Sequence, residues 1–321
     1  MAFFYVIIYI EVIDMINKLR FILSNCWSSD TCYPALKDMW NDNNKSLGQC
    51  AITALIVNDN VGGTIRKCNV GDVSHYFNFI NGEIVDLTRE QFMADDIINY
   101  DEYVEKSNEH ILHNEDTRKR YAILSKRVLE YMKKIELIDS EIKSCLLCNN
   151  TVEKFDNNTT ISFGKSNKIL ILGEAPANNG WRKSGIAWYD INHKLLPSGK
   201  ILQKLLDIVN VKLEDTLFFE AIKCYPKDRK YLNECGKNCK KILDAQLDIL
   251  RPDVILLLGD SATKTVLDIN YKKYSDVVGK YFYKKIKDKN IMLIPIYHPS
   301  PISPKSYKGN IDFFENLKKT L

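Results

Sequence analysis

Ile169-Leu170-Ile171-Leu172-Gly173, followed at once by Glu174-Ala175-Pro176, is the stretch on which the fold of this 321-residue chain turns. Four large apolar residues in a row leave no polar face for solvent, as expected of a strand buried on both sides of a parallel sheet. Working outward, Val254–Leu258 and Ile291–Tyr297 repeat that character, and Thr216–Ile222 reads as a further strand. Helical stretches at Gly199–Val209, Cys239–Leu250 and Ile311–Leu321 separate or follow them. Strands alternating with helices predict a three-layer α/β/α domain with a largely parallel sheet. Ligands of such sheets gather beyond the carboxyl ends of the strands. Glu174, Glu220 and His298 stand at those ends.

The flanking sequence differs in character. Residues 141–321 carry 30 Lys and Arg against 20 Asp and Glu, whereas the remainder carries 15 against 21. A basic half beside an acidic one predicts that the basic half meets a polyanion. With 45% hydrophobic and 27% charged residues the chain is neither disordered nor fibrous, and its length suggests two domains. The division expected is residues 1–105 as a small α+β domain, 106–136 as a charge-rich linker helix, and 137–321 as the α/β domain. The apolar run Met1–Ile10 is too short to span a bilayer and lacks a basic flank and cleavage site, so no membrane partner is expected. Met15 opens a cleaner amphipathic stretch and reads as the natural start, with 1–14 an over-long addition. A cytoplasmic protein is expected, in which the nine cysteines serve as thiols, ligands or nucleophiles rather than disulfides.

Two motifs mark the basic half. Leu172-Gly173-Glu174-Ala175-Pro176 ends the first strand and Tyr297-His298-Pro299-Ser300-Pro301-Ile302-Ser303 ends the last. Cysteines precede the first motif and fall between the two. Cys145 and Cys148 lie three apart, and Cys239 follows Cys224 after fourteen residues. Such spacing suits four thiolates around an iron–sulfur cluster or around zinc, and does not choose between them. Taken in order, these motifs and cysteines resemble the iron–sulfur (family four) uracil-DNA glycosylases across essentially all of 137–321.

The resemblance implies a hydrolase that flips a base out of DNA and breaks its N-glycosidic bond, in base-excision repair. It implies a [4Fe-4S] cluster on Cys145, Cys148, Cys224 and Cys239, with zinc as the rival metal and Cys235 as a spare thiol. It implies that His298 donates to a carbonyl oxygen of the departing base, that Trp188 stacks on that base, and that Ile302 is a wedge entering the gap in the duplex. Glu174 is the carboxylate available to orient water, because Ala175 stands where other branches carry Asp. Lys227, Arg229, Lys230, Lys305 and Lys308 are candidates for phosphate contacts.

At position 220 the chain departs from the family, which has Asn there. An amide donates and accepts, whereas an ionised carboxylate only accepts. Glu220 therefore does not suit uracil, whose O4 needs a donor. Two acceptors suit a guanine-type edge, and a protonated Glu suits a cytosine-type edge. The long polar segment Asn178–Asp190 is expected to leave room for a larger or modified base.

The front of the chain carries a second constellation: Gly48-Gln49-Cys50-Ala51, Ser74-His75-Tyr76 and Val85-Asp86-Leu87-Thr88. Asn81-Gly82 is a strong two-residue hairpin signal. Centring a hairpin there pairs His75 with Thr88 and Phe77 with Asp86, so that His75 and Asp86 project from one face as diagonal neighbours. Cys50 is placed at a helix start, with Gln49 as a candidate oxyanion donor. Together with Cys26-Trp27-Ser28 and Trp40 this set resembles the small YunG-like domains and, more distantly, papain-like Cys–His amidases. Cys50, His75 and Asp86 are then nucleophile, base and orienter, acting on a protein or amide substrate. The rival to the main expectation is a catalytically silent DNA-recognition half that delivers this Cys–His–Asp hydrolase to DNA.

Overall fold

The computed structural model describes residues 2–155, 160–177, 180–267 and 269–318, and divides into two compact units, 1–133 and 134–321. None of the described helices is long and apolar enough to cross a membrane.

In the first unit, α1 (Ala2–Cys26) contains Met15 and buries Leu19, Phe21, Ile22 and Leu23. α2 (Cys50–Val61) is apolar nearly all round and is correspondingly buried over Ile52–Val57. Beside it lies an antiparallel sheet of order β3-β2-β1-β4, formed by β1 (Thr64–Val70), β2 (Val73–Ile80), β3 (Glu83–Val85) and β4 (Val104–Lys106). Asn81 and Gly82 both take positive φ, as a primed turn requires, and the register Asn78↔Val85, Phe79↔Ile84 centres the hairpin on them. The Asn78 amide donates to Ala54 O at 2.9 Å, tying β2 to α2. α3 (Asn108–Leu112) is capped by Ser107. α4 (Glu115–Ser144) then runs from the first unit into the second, longer at its C-terminal end than the predicted linker.

The second unit is the α/β domain. Its two-stranded ladder pairs β5 (Val152–Glu153) with β8 (Tyr225–Pro226). Its five-stranded sheet has the order β10-β11-β9-β6-β7, from β6 (Ile169–Gly173), β7 (Leu217–Glu220), β9 (Val254–Leu258), β10 (Phe282–Ile286) and β11 (Lys289–Ile296). β11, β9, β6 and β7 are mutually parallel, and β10 adds antiparallel to β11. Ile171, Phe218, Leu256 and Ile294 point to one face, where they pack with α6 (Pro197–Ile208) and α9 (Ile311–Lys318). α5 (Trp181–Ser184) is a single turn beside them. On the other side lie α7 (Leu232–Leu250) and α8 (Gly259–Val266). Residues 319–321 of the predicted last helix lie outside the described residues. Neither sheet edge is a plain row of open backbone. At β7, Ser162 N and O exchange hydrogen bonds with Phe218 O and N at 2.8 and 3.0 Å. At the other edge β10 presents Lys284 and Lys285.

Because four strands are parallel, their carboxyl ends share one end of the sheet. Gly173-Glu174, Glu220, Leu258-Gly259 and Tyr297-His298 are thereby gathered from four distant segments.

Candidate functional site

A cleft of about 860 Å³ opens at that end. Glu174, Gly259, His298 and Ser300 form its strand-end wall, and Lys227, Arg229 and Lys264 lie on its other sides. Gly259 takes φ +86° where β9 turns into α8, and a Cβ there would lie 3.5 Å from His298 Cβ. Arg229 grips Glu174 with both guanidinium nitrogens, Nη1 to Oε1 at 3.1 Å and Nη2 to Oε2 at 3.2 Å. The His298 side chain opens into the cleft, yet the protein packed around it lowers its pKa; nearby Glu174 works against that and Arg229 with it. Below its ordinary value the imidazole is neutral at physiological pH, a donor without net charge.

The position of His298 is set from behind. Asn310, fully buried, accepts the Tyr297 N–H on Oδ1 and donates Nδ2 to Tyr297 O, both at 2.9 Å, and to Ser306 O at 2.8 Å. Tyr274 OH donates to Ile296 O at 2.8 Å. Sequence reasoning missed Asn310, since an Asn just before a helix reads as a cap. Ile302 follows on an exposed turn and is 91% exposed.

Glu220 and Trp188 are not among the walls of this cleft. Glu220 is 2% exposed. Its Oε1 accepts the Trp181 indole N–H and its Oε2 lies 3.7 Å from Arg182 Nε. Burial raises the Glu220 pKa, and Arg182 beside it pulls the other way. Lys223, also buried, donates to the Glu220 carbonyl, and burial together with Arg182 lowers its pKa to about 7. Trp181 and Arg182 thus complete a buried cluster that the sequence reading did not single out. Trp188 is 8% exposed and packs on Phe218 with ring centroids 4.5 Å apart. Its φ is +70°, and its indole N–H has no hydrogen-bond partner among the described residues. Asn178 and Asn179 of the loop expected to accommodate a larger base lie outside the described residues; its remainder is anchored by buried Trp181, Arg182 and Trp188.

A second cavity is lined by Cys145, Cys148, Cys224, Cys235 and Cys239. Several local features converge there. The β5–β8 ladder and the bond from Lys227 N to Thr151 O (3.0 Å) hold the Cys145–Cys148 loop against the Cys224 loop. Cys235 and Cys239, four residues apart, share one face of α7. Cys235, expected as a spare, lines the same cavity as the four predicted ligands. Burial pushes the thiol of Cys224 up to about 11 and that of Cys235 up to about 12, and raises Cys239, with neighbouring cysteines adding repulsion. Asn238 Nδ2 donates to Cys148 Sγ at 3.2 Å. Among the described residues no three His, Cys, Asp or Glu side chains are arranged to hold a single metal ion.

In the first unit, Cys50 opens α2, His75 lies on β2, and Asp86 follows β3. His75 Nε2 and Asp86 Oδ2 are 2.6 Å apart. Gln49 is turned away from them, its amide donating to Ser28 O at 3.1 Å, so its side chain is not the oxyanion donor expected. Gln91, not singled out in the sequence, meets His75 Nδ1 instead, at 3.1 Å.

Comparison with known proteins finds a family model for the uracil DNA glycosylase superfamily matching residues 161–321, and a model for the YunG protein matching 15–133. The type-4 uracil-DNA glycosylase of Sulfurisphaera tokodaii is 29% identical over 174 residues, 53% of this chain and 76% of that protein. The type-4 enzyme of Saccharolobus solfataricus is 27% identical over 200 residues, 59% of this chain and 88% of its own length. The uncharacterized protein YunG of Bacillus subtilis is 38% identical over 78 residues, 24% of this chain and 64% of that protein.

Proposed function

The chain belongs to the uracil DNA glycosylase superfamily, and from that premise we propose that its second unit flips a base other than uracil from DNA and hydrolyses the N-glycosidic bond. It is a hydrolase of the DNA glycosylase type, as its type-4 relatives are named. The observation that carries the reading of the site is the meeting of Glu174 and His298 in one cleft at the strand ends.

In that cleft His298, neutral, donates to the oxygen on which charge develops as the base departs. Glu174, its orientation fixed by the two-pronged contact with Arg229, accepts a hydrogen bond from the water that adds to the sugar carbon. Lys227, Arg229 and Lys264 give the cleft a positive side for the DNA backbone. Ile302, projecting from the turn after His298, is the wedge.

The base reading rests on Glu220. Where the family's Asn offers a donor and an acceptor, this chain has a buried carboxylate flanked by Trp181 and Arg182. One oxygen is occupied by Trp181, and the other accepts no hydrogen bond among the described residues. An acceptor suits a base edge that carries N–H donors, as guanine-type bases do. Trp188, the aromatic that the resemblance implies, packs on Phe218 outside the cleft, so no base contact is assigned to it.

The thiol cavity is assigned to a [4Fe-4S] cluster, with zinc the rival metal. Five thiols from three segments line one cavity, a donor set suited to a centre held by thiolates. Buried thiols that raise one another's pKa would be relieved by an iron centre that takes them as thiolates. Cys145, Cys148, Cys224 and Cys239 would hold it, and when bound it would staple the loops that flank the cleft.

The test is single-turnover excision from oligonucleotides carrying uracil, guanine-type or cytosine-type lesions, read by alkali cleavage at abasic sites. Faster release of a guanine- or cytosine-type base than of uracil is expected, and lost in His298→Ala. Rapid uracil release with none of the others overturns the base assignment.

A further inference from the structure

The glycosylase reading leaves the first unit without a role, although it holds an ordered polar cluster of its own. Asp86 is fixed on four counts. Its Oδ1 accepts Thr88 N–H at 2.9 Å and the Thr88 hydroxyl at 3.2 Å; its Oδ2 accepts Tyr100 OH at 2.8 Å and faces His75 Nε2 at 2.6 Å. The Asp86 pKa is lowered, since burial raises it but these bonds outweigh that. An ionised Asp86 holds the imidazole proton on Nε2 and leaves Nδ1 with its lone pair. Gln91 is consistent with that polarity: Gly48 N–H occupies its Oε1 at 3.3 Å, so it is the amide Nε2 that faces Nδ1, at 3.1 Å. Cys50 opens α2 beside this pair, its Sγ donating to the carbonyl of Ser74, the residue before His75, at 4.0 Å.

The three groups are buried together: His75 wholly, the Asp86 side chain nearly so, and Cys50 with 9% exposure. Phe92 closes on the His75 ring edge-on at 5.0 Å, and Tyr100 on Phe77 at 4.9 Å. Nucleophile, base and orienting carboxylate are thus buried in one cluster.

We propose that Cys50, His75 and Asp86 form a second catalytic centre, which cleaves an unhindered ester, thioester or amide through a thioester on Cys50. His75 Nδ1 takes the thiol proton as Sγ adds to the carbonyl carbon. The bond from that carbon to the alcohol, thiol or amine breaks, and the leaving group departs with the proton from His75. Water then gives a proton to His75 and its oxygen to the acyl carbon. Sγ leaves, recovers the proton, and a carboxylic acid is released. The free backbone N–H groups that open α2 at Cys50 and Ala51 are the donors at hand for the tetrahedral oxygen.

The full chain is mixed with 4-nitrophenyl acetate at neutral pH, following 4-nitrophenol release and mapping acetyl groups by peptide mass. A burst of one 4-nitrophenol per chain, with acetyl on Cys50, is expected. Cys50→Ser should abolish the burst. Asp86→Asn should slow acetylation at least tenfold, and Tyr100→Phe, which removes one bond and leaves the triad, should slow it several-fold; melting curves show whether each variant is folded. Acetyl spread evenly over Cys26, Cys32, Cys50 and Cys68 overturns the proposal. So does a folded Asp86→Asn or Tyr100→Phe variant acetylated at the wild-type rate.

Discussion

Glu220 shows how much one residue can decide. Replaced by Asn, it would restore the donor-and-acceptor pair that uracil needs, and leave Arg182 buried without its carboxylate. Two opposite outcomes are therefore expected from one substitution. Uracil excision should rise about tenfold or more, the value of one satisfied buried contact. Stability should fall by about 3 kcal/mol, the usual cost of breaking a buried ion pair from one side. Single-turnover excision and thermal melting measure the two separately, and no gain on uracil would remove Glu220 from base reading.

Individual elements explain what was legible before the structure and what was not. Ile169–Gly173 and Val254–Leu258 were readable to the residue, because a strand buried on both faces is apolar at every position. Phe282–Ile286 was missed: an edge strand of alternating burial with two lysines is indistinguishable from a polar loop. α7 begins seven residues before the expected Cys239, because the Asn, Glu and Gly of its first turns disguise a helix whose cysteines face inward. Gathering Glu174 and His298 followed from strand order alone, and His75 with Asp86 from a hairpin turn. Asn310 and the Trp181–Arg182 cover over Glu220 were hidden, since each depends on a contact across the fold that no local pattern records. The Asn310 clamp is testable at this scale. Asn310→Ala removes three hydrogen bonds around Tyr297 and Ser306 and leaves buried backbone groups unsatisfied, which should cost about 1–3 kcal/mol per group left so. Excision should fall more than tenfold even in the fraction that remains folded, because His298 is the next residue. Equal activity per folded molecule would show that the clamp serves stability alone.

For the molecule as a whole, the thiol cavity is the largest lever. Anaerobically purified chain should be brown, absorb near about 400 nm and contain about four iron atoms, as thiolate-bound four-iron clusters do. Cys145→Ala or Cys239→Ala should bleach it and lower the melting temperature of the second unit, while iodoacetamide labelling of Cys50 in the first stays unchanged. Colourless protein with one zinc per chain would replace the cluster by a simple ion. The treatment of the sheet edges has a consequence of another kind. An open strand is a template for any chain that can extend beside it, and a glycosylase scanning a genome works in a crowd of such chains. Ser162 occupies the backbone of Phe218 on one side, and on the other Lys284 and Lys285 charge the approach to β10. The features that end the sheet bear on colloidal behaviour as well: covered and charged edges disfavour strand-by-strand recruitment of a second molecule, least so when the lysines are neutralised or screened by salt.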